Sequence, residues 1–379
     1  MNFAEQVVAR LEKLGVKRIY GLVGDSLNPL SDAVRQSDIE WVHVRNEEAA
    51  AFAAGADSLA ADELAVCGAS CGPGNTHFVQ GLFESHRNGS KVLAIASHIP
   101  TIEIGSSFFQ ETHPELLFQE CSSYCEVVHN ADQGMRVLHN ALQNTLAGNG
   151  VSVMVVPGDV FAEDTADGPH TSDSVYATGA NKRVYPDPTE AARLVEAINK
   201  ADKITLFCGY GARDAREEVF ALAEKIKSPI GHSFRGKMYF EYDNPFDVGM
   251  SGLLGYGACV EAMEESDLFI MVGTDFPYTD WLPDENVAQI DINGAHIGRR
   301  TTVEYPVVGD VKSVIENILP HIEEKKDRKF LDKMLKRHYE LLEHVIKHYT
   351  HKASEAKKPI HPELAASVLD KLADDDAYF

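Results

Sequence analysis

Short apolar runs alternate with amphipathic stretches along most of the chain. Runs of strand length fall at residues 18–23, 41–44, 64–69, 92–96 and 151–156. Between them, helical periodicity covers 26–35, 47–59 and 75–86. A β-α-β-α rhythm of this kind predicts a parallel sheet with helices on both faces. The pattern lapses over 163–188, where acidic, Ser, Thr, Gly and Pro residues read as a linker. It restarts with a helix at 189–199, a strand at 204–207 and a helix at 213–225, then strands at 268–272 and 287–292 and a helix at 311–322. The expected fold class is therefore α/β: two three-layer αβα domains with mainly parallel sheets, plus a helical C-terminal tail. The domains are placed at 1–165 and 188–330.

Residues 331–379 form the tail. A polar helix is expected to about Tyr349, then a short linker at 356–359 and a fresh helix over 361–373. Asp376-Ala377-Tyr378-Phe379 resembles the first residues of a strand, which predicts a chain that stops as a third domain begins. His344, His348 and His351 share one face of the polar helix, where a solvated face is the simpler reading than a ligand set.

The length of 379 residues fits two domains and a tail. A net charge of -23 argues against a nucleic-acid partner, because phosphate backbones are repelled. Any anionic ligand needs a local positive or hydrogen-bonding site. The first residues lack the apolar run of a signal peptide, and no stretch has the roughly 18 apolar residues of a membrane span. The expected location is cytoplasmic. The six cysteines are accordingly read as free thiols. Cys67/Cys71 and Cys121/Cys125 have metal-like spacing, but no histidine nearby completes a site, so no metal ligand is assigned.

Candidate chemistry clusters at strand ends. Glu47 and Glu48 open an alanine-rich helix. They could simply complement the helix dipole, or one could relay a proton. Gly72-Pro73-Gly74-Asn75 and Gly24 lie at strand-to-helix turns, where tight geometry and ligand contact both favour glycine. Phe109-Gln110-Glu111-Thr112-His113 is a polar and aromatic loop. In the second domain, Gly209-Tyr210-Gly211-Ala212-Arg213-Asp214 departs from a dinucleotide loop at its last position. Asp291 ends a strand, as an acid that binds a ribose would. Ser251-Gly252-Leu253-Leu254 and Thr274-Asp275-Phe276-Pro277-Tyr278 are further loops, and several such loops in one domain favour a nucleotide cofactor.

In order, Asn-Glu-Glu-Ala-Ala-Ala-Phe-Ala-Ala-Gly-Ala, Cys-Gly-Pro-Gly-Asn, Phe-Gln-Glu-Thr-His-Pro, Tyr-Asp-Asn-Pro-Phe-Asp-Val-Gly-Met, Gly-Thr-Asp-Phe-Pro-Tyr and Gln-Ile-Asp-Ile-Asn resemble the bacterial pyruvate oxidases of the quinone-reducing, acetate-forming type. The resemblance covers essentially the whole chain. One departure is Asn46, where many relatives have histidine.

The resemblance implies oxidative decarboxylation of pyruvate to acetate and CO2, with electrons passing through FAD to quinone. It implies that 1–165 binds the pyrimidine of thiamine diphosphate, with Glu47 on the ring nitrogen, Phe109 and Gln110 facing substrate, and Gly24, Gly72, Gly74 and Asn75 lining the pocket. Gly209, Gly211, Ser251, Gly252, Leu253, Leu254, Thr274, Asp275, Phe276, Pro277, Tyr278 and Asp291 would hold FAD. The family's third domain carries the Mg2+ and diphosphate motif, which does not occur after residue 325. This chain alone is thus expected to be inactive, and any peripheral membrane contact to need that further segment. A homo-oligomer, dimer or tetramer, is implied. The alternatives left open are an acetolactate-synthase-like carboligase and a non-catalytic FAD-binding fragment.

Overall fold

The computed structural model describes residues 1–165, 183–350 and 358–377. The chain forms two compact units, Met1–Lys182 and Arg183–Phe379. The expected linker at 163–188 falls largely outside the described residues.

In the first unit, the elements in order are α1 (Phe3–Lys13), β1 (Arg18–Gly21), α2 (Asn28–Arg35), β2 (Glu40–His43), α3 (Glu47–Ala61), β3 (Ala65–Ala69), α4 (Pro73–Asn88), β4 (Val92–His98), α5 (Pro114–Leu117), β5 (Tyr124–Val127), α6 (Ala131–Asn144) and β6 (Ser152–Pro157). The six strands are all parallel, in the order β2-β1-β3-β4-β6-β5. Alternate residues of the central strands serve opposite faces. Val66, Leu93, Ile95 and Met154 pack with α1, α2 and α6, whereas Cys67, Ala94, Val153 and Val155 pack with α3 and α4. That double burial explains why these strands read as continuous apolar runs. Caps fix the helix starts: Asn2 and Glu5 form a reciprocal box on α1, and Asn46 accepts from the Glu48 amide at 2.7 Å.

The second unit runs α7 (Pro188–Lys200), β7 (Ile204–Cys208), α8 (Arg216–Ile226), β8 (Ile230–His232), α9 (Lys237–Phe240), β9 (Asp247–Met250), β10 (Tyr256–Gly257), α10 (Cys259–Glu264), β11 (Leu268–Val272), β12 (Val287–Asp291), β13 (Tyr305–Val308), α11 (Val311–Ile318), α12 (Lys329–Val345) and α13 (Pro362–Leu372). Its sheet has the order β10-β9-β8-β7-β11-β12-β13, and only β10 is antiparallel to its neighbour. One face packs Ile204, Leu206 and Ile270 against α7, α8 and α11, and the other gathers Phe207, Phe269, Met271 and Phe276. Leu331 and Met334 of α12 are buried in this unit's apolar clusters, so the polar helix is part of it.

The two-sheet, mainly parallel α/β architecture is the one the periodicity predicts. Five strands left no periodic signal: β5, β8, β9, β10 and β13. No strand forms near Asp376 among the described residues, and Tyr378 and Phe379 lie outside them. The six cysteines are free thiols. No helix among the described residues is long and apolar enough to cross a membrane.

Candidate cofactor site

In each sheet the chain leaves one strand in opposite directions along the sheet order. In the first unit this reversal lies between β1 and β3, and in the second between β7 and β11. Ligands of open α/β sheets bind at the carboxyl ends of strands at such points. Most sequence-predicted residues lie at these two ends.

In the first unit Glu47 is the first residue of α3 and is only 5% exposed. Its Oε2 lies 2.9 Å from Nδ1 of His77 on α4, and its Oε1 faces Gly74. A Cβ on Gly74 would sit 3.1 Å from Oε1, so a side chain there would crowd the acid. The two helices can bring Glu47 and His77 together because their seam is made of small residues. A Cβ on Gly81 would lie 2.6 Å from that of Ala51 and 2.8 Å from the Glu48 carbonyl oxygen.

Asn75 is fully buried, and its Nδ2 donates to the Ser97 carbonyl at 2.7 Å while its Oδ1 has no hydrogen-bond partner. Gly24 packs against Ser70, whose hydroxyl is 2.9 Å from that of Ser26. Gly72 has φ +66, and a Cβ there would lie 2.9 Å from the Gln110 carbonyl oxygen. Gly72 and Gln110 are therefore adjacent. Phe109 beside them is 82% exposed, and its ring lies tilted against that of Phe108 at 4.7 Å. Glu111 organises this loop by accepting from the amides of Gly105 (2.5 Å) and Ser107 (2.7 Å), which hold its carboxyl below the usual range.

Two residues here were missed by sequence reasoning. His77 sits three residues past Gly74 and shows no sign of pairing with an acid 30 residues earlier. His98 ends β4, is 4% exposed, has an Nδ1 without a partner, and is kept neutral as burial pushes its pKa down.

In the second unit Gly209 and Gly211 pack directly on Gly273 and Thr274, and the Gly211 amide donates to the Gly273 carbonyl at 2.9 Å. Asp275 is held by Arg299 (2.9 Å) and Arg300 (3.0 Å). Phe276 is buried against Phe207 and Tyr278, and Pro277 lies in the same irregular loop. Ser251 is buried with an unpartnered hydroxyl, Gly252 (φ +112) lies against Tyr278, and Leu253 and Leu254 project into solvent. Asp291 is 6% exposed, accepts from the Asn293 amide at 2.8 Å, and lies 3.3 Å from His296. No local pattern marks the cationic cluster beside these loops, in which Arg213 and Arg235 lie over the Tyr210 ring at 4.3 and 4.2 Å. That cluster is the kind of local positive charge an anionic ligand needs in so acidic a chain. His344 and His348 stack at 4.1 Å on the exposed end of the tail helix, and His351 lies outside the described residues.

Residues 1–118 match the family described as "Thiamine pyrophosphate enzyme, N-terminal TPP binding domain" and residues 191–318 match "Thiamine pyrophosphate enzyme, central domain". The chain is similar to an uncharacterized 42.6 kDa protein of Pseudomonas amyloderamosa, 46% identical over 339 residues, covering 88% of this chain and 84% of that protein. It is 33% identical over 370 residues to the putative thiamine pyrophosphate-containing protein YdaP of Bacillus subtilis, covering 97% of this chain and 63% of that one. Against pyruvate oxidase of Lactiplantibacillus plantarum it is 27% identical over 327 residues, with coverages of 84% and 54%. Acetolactate synthases match over a similar span. The chain thus spans a little over half the length of these characterised enzymes. One matched segment lies within each parallel-sheet unit, and together they show that this chain belongs to the thiamine pyrophosphate enzyme family.

Proposed function

We propose that the chain supplies the pyrimidine-binding and FAD-binding parts of a pyruvate-oxidising, quinone-reducing enzyme. The observation that carries the reading is Glu47: an almost buried carboxylate at a helix start, paired with His77 and facing a residue without a side chain. Thiamine diphosphate (thiamine pyrophosphate), when bound, supplies the electron sink for decarboxylation of a 2-keto acid. Glu47 would hold a proton at the pyrimidine nitrogen, and His77 would fix the carboxylate's orientation through Oε2. Gly74 leaves the space beside Oε1, and Asn75 offers a buried, unpartnered acceptor. Gln110, against Gly72, and exposed Phe109 would border the substrate.

In the second unit, Arg213 and Arg235 would offset the charge of the FAD diphosphate, and Asp291 would accept from a ribose hydroxyl. The 251–254 and 274–278 loops would hold the rest of the flavin. What supports pyruvate over other keto acids is the ordered set of motifs shared with the quinone-reducing oxidases and the 27% identity to a pyruvate oxidase. Mg2+ binding is assigned to a further segment outside these two units.

The test begins with the purified chain, which is expected to be yellow or to take up added FAD. Absence of flavin after incubation with FAD would remove the flavin half of the reading. In an assembly that supplies a diphosphate site, Glu47→Gln is expected to lower pyruvate-dependent dye reduction about 10²–10⁴-fold, the range for a lost proton-transfer group. Turnover within about twofold of wild type would move the role to Glu48.

A further inference from the structure

The connection from β12 to β13 borders the flavin loops but has no core of its own. None of residues 292–300 is buried, and none joins the apolar clusters of the unit. Gly298 has φ +70, and a Cβ added there would meet nothing nearer than the Thr301 carbonyl oxygen at 4.0 Å. The segment is therefore held by polar ties, and such loops belong to the easily opened parts of a fold.

Some of the ties come from β12 itself. Gln289, 2% exposed, accepts from the Gly298 amide at 2.9 Å, and its Nε2 donates to the His296 carbonyl at 3.3 Å. At the base of the segment the Thr301 hydroxyl donates to the Pro283 carbonyl at 2.5 Å. The remaining tie crosses from the loop after β11. Asp275 Oδ2 accepts from Nη1 of Arg299 at 2.9 Å, and Oδ1 accepts from Nε of Arg300 at 3.0 Å. Both carboxylate oxygens are thus taken by guanidinium groups. Arg299 reaches back within its own loop to the Ala295 carbonyl at 3.2 Å, which passes the hold on to residues 295–300.

The segment covers Asp291. His296 Nδ1 lies 3.3 Å from that carboxylate, and the Asn293 amide donates to it at 2.8 Å. Under this cover Asp291 is only 6% exposed, so a ligand hydroxyl reaches it by displacing His296.

We infer that Asp275 is a positioning residue that does not touch the nucleotide. It clamps Arg299 and Arg300, and with them residues 292–300, shut as a flap over Asp291. The inference rests on the flavin reading of this site and gives Asp275 an indirect place in it. A bare carboxylate would repel a diphosphate, whereas Asp275 with two arginines carries net positive charge. The clamp is made inside the protein, equally in the empty and the loaded site. It adds nothing to the difference between those states and so leaves affinity unchanged. It acts on rates, because nucleotide enters and leaves only while the flap is open.

Stopped-flow uptake of FAD by the flavin-free full chain, and release followed by flavin fluorescence, test the clamp. Asp275→Asn is nearly isosteric and should speed uptake and release together, each about tenfold, with Kd within about threefold of wild type. Arg300→Gln should change both rates in the same direction. The Asp275→Asn/Arg300→Gln double variant should be no faster than the quicker single one, because both remove one contact. Faster release alone, with a raised Kd, would mean that Asp275 touches the nucleotide and would overturn the inference. So would wild-type rates in both single variants. Hydrogen exchange without flavin gives an arm that needs no ligand. Amides of 293–299 should lose protection about tenfold in Asp275→Asn, while those of α7 keep theirs. A chain that takes up no FAD removes the flavin reading, and the exchange arm then decides the clamp alone. Unchanged protection of 293–299 overturns it.

Discussion

The carboxyl ends of the two sheets share a topology but are built in different ways. In the first unit the reversal point presents one buried carboxylate, held by a neighbouring helix and bordered by glycine. In the second, the loops close on one another: Gly211 bonds to Gly273, Asp275 is held by two arginines, and Asp291 is satisfied by the Asn293 amide and His296. The first end presents a single buried acid, and the second forms a closed polar shell with positive charge at its rim. One sheet type thus carries either arrangement, depending on whether its polar groups are left facing outward or tied to each other.

The contrast can be tested from either side. The largest expected effect is Phe207→Ala. Phe207 is fully buried between Phe269 and Phe276, so its loss should cost the second unit about 3–5 kcal/mol in denaturant unfolding. It should also lower flavin retention while leaving the first unit intact. Gly81→Val should have a somewhat smaller effect, on the first unit alone. The new side chain meets Ala51 and the Glu48 backbone, and overpacking of this kind costs about 1–3 kcal/mol. Because α3 and α4 are forced apart, the Glu47–His77 contact should also break, visible as a change in the His77 imidazole NMR signals. Asn46→Ala should do least, losing an N-cap worth about 1 kcal/mol, read as a lower denaturant midpoint. If the Gly81 variant perturbed the second unit as much as the first, the two ends would not be separable.

The sequence revealed the architecture where burial is two-sided. The apolar run at 64–69 became β3, and Leu268–Val272 is a strand with the predicted bounds. It concealed elements whose residues serve other purposes. β9 is Asp-Val-Gly-Met, with a half-buried acid and a glycine at φ +91, and β8 is only Ile-Gly-His. Neither has a period to detect. For the site, Glu47 was legible because two acids at the head of an alanine-rich helix stand out. His77 was not, because its partner lies 30 residues away and only the helix seam brings them together. Likewise, nothing local marks Tyr210 as the platform for Arg213 and Arg235, which come from different loops. Spacing along one element can be read directly, whereas pairing between elements depends on packing.

The β10 strand has only two residues, antiparallel to β9, with α12 packed against both. A longer bare edge would offer a row of unpaired amides and carbonyls to any other extended chain. Short length and a helical cover together make this flank a poor template for self-association. Whatever loosens α12 therefore also uncovers an adhesive border.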